Sequence, residues 1–87
     1  MYRLVFGNQF LKSAEKLDKK LKPKLKLSLD VLLRDPFHPK LHTKPLAGNL
    51  AGRYSFRLGR DYRVVFAFLS KDEIQVFNIA HRKDIYR

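Results

Sequence analysis

The first half of the chain carries its apolar residues at two different spacings. An aromatic or aliphatic residue occupies every second position of residues 2–6, which predicts a short strand. Asn8 follows and is suited to cap a helix. Helical spacing then gives two apolar stripes on either side of Pro23, and their members are Phe10, Ala14, Leu17 and Leu21, then Leu25, Leu29, Leu32 and Leu33. Because the residue before a proline avoids the helical region while a proline suits the first turn of a helix, we predict two helices that meet at Pro23.

The second half of the chain changes to a period of two, after a connection over residues 37–51 that holds two prolines. The first strand there has one apolar face, and its other face carries Arg53, Ser55 and Arg57. Short polar turns separate this strand from two more. The predicted strands of the second half are residues 53–58, 62–69 and 73–80.

The stretch Val64–Leu69 is apolar throughout, which is typical of a central strand covered on both faces. Strands joined by such short turns are antiparallel neighbours. We therefore predict an α+β fold of order β-α-α-β-β-β, in which a helical hairpin packs on a mainly antiparallel sheet. A chain of 87 residues fits a single domain, over residues 1–87.

The charge balance adds a partner class to this fold. Nineteen Lys and Arg against eight Asp and Glu give a formal net charge of +11. Such a surface favours a polyanion: nucleic acid first, an acidic protein second and an anionic membrane third. The chain contains no cysteine, and none of its apolar runs approaches the roughly 18 residues of a membrane span, so we expect a cytoplasmic protein without a signal peptide.

Several kinds of chemistry find no support in the sequence. The glycine-containing segment GNLAG fits neither a phosphate-binding loop nor a dinucleotide fingerprint. The three histidines, His38, His42 and His81, are scattered and have no local carboxylate or cysteine pattern, so we expect no metal and no cofactor. The serines lack a nucleophile elbow.

Arg63 is the most informative basic residue, because it lies inside an otherwise apolar strand. Burying an unpartnered guanidinium is costly, so Arg63 must reach an anion, a carboxylate or a cleft. A structural ion pair with Asp61, Asp72 or Asp84 is the alternative to a functional role. The lysines between Lys12 and Lys26 are interpreted as a solvated helix face, with phosphate contacts as the second interpretation.

The segment HRKDIYR follows the last predicted strand and brings further basic and aromatic residues near Arg63. Antiparallel pairing places the end of one strand beside the start of its neighbour, so we expect Arg63, His81, Arg82 and Tyr86 to converge. Arginine binds phosphate, tyrosine can stack on a base, and histidine transfers protons near neutral pH. A frayed tail is the alternative. Four more basic residues are assigned to RNA binding: Lys44, Arg53, Arg60 and Arg87.

The runs LAGNLAGRYSFRLGRDYRVVFAF and IQVFNIAHRKDIYR resemble the RelE/ParE superfamily of type II toxin–antitoxin toxins, and the resemblance covers the whole chain. In this superfamily, RelE-branch members are ribosome-dependent endoribonucleases that cut mRNA in the decoding site, and ParE-branch members inhibit DNA gyrase. Both are neutralised by a small antitoxin. The resemblance therefore implies two partners for this chain, an acidic antitoxin protein and mRNA in the ribosomal decoding site, and no membrane.

The resemblance also implies roles for particular residues. The superfamily's strand arginine falls on Arg63, its basic residue after the last strand on Arg82, and its C-terminal aromatic on Tyr86. One strand lysine of the RelE pattern corresponds to Arg57 and a second to Ser55. Arginine is a poor general base because its pKa exceeds about 12, so a lysine-base mechanism does not transfer directly.

The reaction implied by the resemblance is metal-independent attack of a ribose 2′-hydroxyl on the adjacent phosphate. The arginines at 57, 63 and 82 would stabilise the developing charge, His81 would transfer a proton, and Tyr86 would stack on or orient a nucleotide. Two alternatives stay open at this point. One is a ParE-like inhibitor of gyrase. The other is a non-catalytic member that still binds an antitoxin or RNA, and it is supported by Ser55, which stands in place of a basic residue of the RelE pattern.

Overall fold

The computed structural model describes residues 1–86, and its elements follow the predicted order. One element is added: a two-residue strand within the predicted connection, which makes a sheet of five strands. The elements are β1 (Arg3–Phe6), α1 (Asn8–Glu15), α2 (Lys22–Arg34), β2 (Lys44–Pro45), β3 (Tyr54–Leu58), β4 (Tyr62–Phe68) and β5 (Glu73–His81), with 3₁₀ turns at Pro39–Leu41 and Gly48–Leu50. The predicted α+β fold, with two helices on a mainly antiparallel sheet, is confirmed.

The sheet has the strand order β1-β5-β4-β3-β2. The first strand runs parallel to the last, from Arg3 opposite Glu73 to Phe6 opposite Val76, and the other neighbours are antiparallel. The chain therefore returns to its own beginning, and β5 is enclosed between β1 and β4. This enclosure fixes the end of β5, from which the C-terminal segment leaves the sheet.

The first helix is shorter than its apolar stripe. We predicted that it would continue to Pro23, but α1 ends at Glu15. The Asp18 carboxylate accepts a hydrogen bond from the backbone N–H of Lys20 at 2.9 Å, and such a local turn competes with helix. Pro23 lies in the first turn of α2, as predicted, while Gly7 rather than Asn8 holds the cap position of α1. No helix within residues 1–86 is long and apolar enough to cross a membrane.

The two faces of the sheet carry two apolar clusters of unequal size. The larger one lies between the sheet and the helices, and its fully buried members are Leu32, Phe56, Val64, Phe66, Ile74 and Val76. The smaller one lies on the opposite face and consists of Leu46, Val65 and Ile85. Because side chains alternate along a strand, the second face also receives Arg57 and Arg63.

The segment after β5 folds back onto this second face, so residues 82–86 are not a frayed tail. The Ile85 side chain is only 8% exposed and completes the smaller cluster. The Tyr86 hydroxyl accepts a hydrogen bond from the backbone N–H of Ala47 at 3.2 Å. The backbone N–H of Arg82 donates to the carbonyl of Asp61 at 2.7 Å. These contacts hold both ends of the segment.

We expect Ile85→Ala to lower the free energy of unfolding by about 2–3 kcal/mol, because it removes a buried side chain from a small cluster. Leu27→Ala is the matched control, since the Leu27 side chain is 69% exposed and its loss changes stability by less than about 0.5 kcal/mol. Urea titrations of both variants provide the measurement. Equal denaturation midpoints for the two variants would show that Ile85 does not anchor the segment.

Candidate active site

Two arginines oppose each other across neighbouring strands at the centre of the candidate site. Arg57 of β3 is the direct cross-strand partner of Arg63 of β4. The Cβ atoms of directly opposed residues lie about 4.5–5.5 Å apart, and like charges at that distance destabilise a sheet. The fold therefore contains a local repulsion, which a bound anion would remove.

The arginine pair opens into a cleft of about 330 Å³ at the end of the β3–β4 hairpin. Its lining residues are Arg57, Gly59, Arg60, Tyr62, Arg63 and Arg82. No carboxylate of the described residues lines the cleft. Gly59 shapes this wall, because its φ of +64° is a left-handed conformation and a Cβ there would lie 3.0 Å from Leu21 Cδ2. The described lining is therefore rich in positive charge, which favours an anion in the cleft.

Arg63 carries a buried hydrogen-bond donor that lacks an acceptor among the described residues. The donor is its Nη1 atom. Burial lowers the pKa of the Arg63 guanidinium, and the charges of Arg57 and Arg82 lower it further, while Tyr86 acts in the opposite direction. A buried donor without an acceptor is costly, so the structure presents Arg63 as a group prepared for an incoming oxyanion.

The alternative role for Arg63, a structural ion pair, is not found among the described residues. No ion pair among residues 1–86 includes Arg63. Asp61 instead faces Arg82, with 4.0 Å between Oδ1 and Nε, and both side chains are about half exposed. An exposed pair at that distance contributes little, so Arg82 keeps most of its capacity to bind phosphate.

Tyr86 lies on the same side of the sheet as Arg63, because it follows Ile85 of the smaller cluster and its hydroxyl binds Ala47, next to Leu46 of that cluster. Its side chain is 61% exposed although the hydroxyl is fixed on Ala47, so part of the ring is open to solvent. An aromatic ring held in this way can stack on a base. The structure brings the three predicted arginines together in one cleft, whereas Tyr86 lines a separate pocket with Asn49, Leu50 and Ile85.

His81 does not line the cleft. It is the cross-strand partner of Tyr62, whereas Ala80 is the partner of Arg63, so alternation turns the imidazole to the other face. The His81 ring packs edge-on against Tyr62, with 5.6 Å between ring centroids, and Nδ1 accepts a hydrogen bond from the Lys83 backbone N–H at 3.2 Å. The expected convergence of His81 with Arg63 is not observed, and proton transfer by His81 stays a prediction.

The residues assigned to RNA binding are distributed unevenly. Arg60 lines the cleft, whereas Lys44 is exposed on the edge strand β2. The Arg53 guanidinium lies over the Phe77 ring, 4.1 Å from its centroid, which occupies it in a cation–π contact. Arg87 lies outside the described residues.

The serine that stands in place of a strand lysine has a packing explanation. Ser55 is paired with Val65 and is fully buried, so a lysine would bring an ammonium group into a closed position. Ser55 lies on the face of β3 opposite Tyr54, Phe56 and Leu58, as predicted, and the structure buries that position. Sequence reasoning also missed Gly59 and Tyr62 as parts of the cleft, although the turn between the two arginine-bearing strands was a usable signal.

Comparison with known proteins adds independent information on the family. The family model for the ParE toxin of the type II toxin–antitoxin system parDE matches residues 4–86. A toxin YoeB from Synechocystis is 34% identical over 55 residues, which cover 63% of this chain and 64% of that protein. The chain thus aligns with less than two thirds of the length of this relative.

Solved structures of similar fold come from several organisms. A YoeB/ParE toxin from Agrobacterium tumefaciens superposes with a TM-score of 0.79 at 23% identity, covering 94% of this chain and 99% of that one. YafQ from Escherichia coli gives 0.81 at 16% identity over the whole of both chains. The toxin–antitoxin complex RelBE2 from Mycobacterium tuberculosis gives 0.76 at 24% identity, covering 93% of this chain and 98% of that one. Because the family model spans nearly the whole sequence, the chain belongs to the ParE toxin family of type II toxin–antitoxin systems.

Proposed function

We propose that this chain is an endoribonuclease toxin that cleaves mRNA on the ribosome. The observation that carries the proposal is the opposed pair Arg57 and Arg63, whose repulsion and buried, unpartnered Nη1 call for an oxyanion. Arg82 adds a third guanidinium to the same cleft. Membership of a toxin family and the similarity to a YoeB toxin supply the biological setting.

The reaction that fits this cleft is in-line attack of a ribose 2′-oxygen on the neighbouring phosphorus. The new bond joins the 2′-oxygen to phosphorus, the bond from phosphorus to the 5′-oxygen breaks, and the products carry a cyclic phosphate and a free 5′-hydroxyl. Forked guanidinium donors of Arg57, Arg63 and Arg82 would bind the equatorial oxygens, where negative charge develops. The partly open ring of Tyr86 would hold the nucleotide beside the scissile bond.

Two protons must move in this reaction, one away from the 2′-hydroxyl and one to the leaving 5′-oxygen. His81 is assigned one of these transfers, because imidazole exchanges protons near neutral pH whereas guanidinium does not. Its ring packs on Tyr62, which itself lines the cleft. For this role the His81 side chain must leave its contact with Tyr62 and its hydrogen bond to Lys83.

A small acidic antitoxin is the expected protein partner. The net charge of +11 attracts an acidic chain and accelerates its association. One structural relative was solved as the toxin–antitoxin complex RelBE2, and another as a YoeB–YefM complex from Staphylococcus aureus.

Inhibition of DNA gyrase is the second candidate function. Two observations favour it: the matching family model is that of ParE toxins, and the His81 imidazole lies outside the cleft. An inhibitor that only binds its target needs no proton-transfer group. The arginine cleft would then bind an acidic or phosphate group of the gyrase–DNA complex.

Arg63→Gln is expected to lower mRNA cleavage about 100- to 1,000-fold, since the variant lacks a preorganised donor to the transition state. The same change should raise the free energy of unfolding by up to about 1 kcal/mol, because it removes one of two opposed like charges. Primer extension on a message translated in a purified system measures cleavage, and urea titration measures stability.

Arg34→Gln is the matched control, because it also removes one arginine but the side chain is exposed and paired with Asp30 on α2. Cleavage by this variant should equal that of the parent chain. Full cleavage by Arg63→Gln, or an equal loss in the two variants, would contradict the proposed role.

His81→Ala distinguishes the two candidate functions. If the chain is the proposed nuclease, the variant should cleave at least about 100-fold more slowly, because general acid–base catalysis contributes that much. Message integrity and DNA supercoiling are measured together after expression of the parent and the variant. Intact message with altered supercoiling, unchanged by His81→Ala, would establish the gyrase alternative.

A further inference from the structure

A second basic cleft lies on the other side of Arg57 from the candidate active site. It has a volume of about 320 Å³, and its polar lining comes from Lys24, Lys40, His42, Arg57 and Ser28. Arg57 and Gly59 line both clefts, so the two are contiguous around the end of β3. Within residues 1–86, no carboxylate lines the second cleft.

Two residues of the second cleft lie at the ends of helical segments. Lys24 lies in the first turn of α2, at the positive end of the helix dipole. That first turn contains no acidic residue to offset the charge. His42 adopts a left-handed backbone conformation, with a φ of 51°. It ends the 3₁₀ turn Pro39–Leu41, where a left-handed residue is common, and its backbone N–H donates to the carbonyl of Pro39. The described lining brings Lys24, Lys40 and Arg57 together without a carboxylate, an arrangement that an anionic ligand would stabilise.

We propose that the second cleft binds a backbone phosphate of the same RNA strand whose scissile phosphate occupies the first cleft. This inference rests on the proposed function, since it extends the RNA path from the active site. Arg57 would stand between the two phosphates and contact both, while Lys24 and Lys40 would neutralise the second one. Contacts to phosphate alone carry no base preference, so the second cleft positions the strand.

Two RNA probes of different length separate the clefts. Both are oligouridylates with 2′-O-methyl groups, which block the attacking hydroxyl. The short one has two nucleotides and therefore a single internucleotide phosphate, and the long one has nine nucleotides. The short probe is sized for the first cleft, and the long probe reaches both. Binding of each is measured by fluorescence anisotropy at several salt concentrations with the parent chain and two double variants.

The test variant is Lys24→Gln with Lys40→Gln, which removes two charges from the second cleft. The matched control is Lys12→Gln with Lys71→Gln, which removes two exposed charges from α1 and from the β4–β5 turn. The single variant His42→Asn is added because asparagine tolerates the left-handed backbone that His42 adopts.

We expect the test variant to bind the nine-nucleotide probe about tenfold more weakly than the parent. Its plot of log affinity against log salt should be shallower by about 0.7 for each phosphate that the substituted lysines no longer neutralise. Its affinity for the two-nucleotide probe should equal that of the parent, and the control variant should match the parent with both probes. His42→Asn should weaken only the long probe.

Several outcomes overturn the inference: equal weakening of both probes, an equal loss in the control variant, or no RNA binding by the parent chain. Binding of a nine-residue polyglutamate with the same sensitivity to Lys24→Gln and Lys40→Gln would assign the cleft to an acidic protein. The probes cannot be cleaved, so this experiment is independent of catalysis. If the chain cleaves message but lacks the length-dependent pattern, the second phosphate site is wrong and the proposed function stands. If the chain shows the pattern without cleavage, the second phosphate site stands and the proposed function is wrong.

Discussion

The opposed pair of Arg57 and Arg63 is the constraint on which the candidate site depends. The two guanidinium groups repel each other across adjacent strands, and one Arg63 nitrogen is buried without an acceptor in the described part of the chain. Neither feature stabilises the fold, and both become favourable when an oxyanion enters the cleft. None of the described ion pairs neutralises Arg57 or Arg63. Asp61 lies beside Arg82 instead, at a distance where the pair contributes little.

The sheet tolerates this repulsion because its stability comes from elsewhere. The larger apolar cluster between the sheet and the helices contains residues with no exposed surface, such as Leu32 and Phe66. The smaller cluster on the second face has a different role: Ile85 fixes the segment after β5, and that segment carries Arg82 and Tyr86. Packing on one face thus supplies stability, and packing on the other positions functional groups. A stability–activity compromise of this kind is common at functional sites.

Much of the fold and part of the site could be predicted from the sequence. The change of period from 3.6 to 2 gave the element order, and the interruption of an apolar strand by Arg63 indicated an arginine that reaches a cleft, as it does beside Arg57 and Arg82. The end of α1 was not predicted, because the turn at Asp18 competes with a stripe that continues to Leu21. The orientation of His81 depends on strand register, which composition does not reveal. Burial of Ser55 depends on its position in the sheet, between Lys44 of β2 and Val65 of β4, which local sequence does not reveal.

The most direct test of the central claim is a double-mutant cycle of Arg57→Gln and Arg63→Gln, measured by urea unfolding without ligand and with a saturating 2′-O-methyl oligouridylate. Without ligand, either change should raise the free energy of unfolding, and the second should add less than the first because the repulsion is already relieved. With the oligonucleotide bound, either change should lower it. If each arginine stabilises the free protein, the pair is a structural feature and the cleft is not prepared for a phosphate.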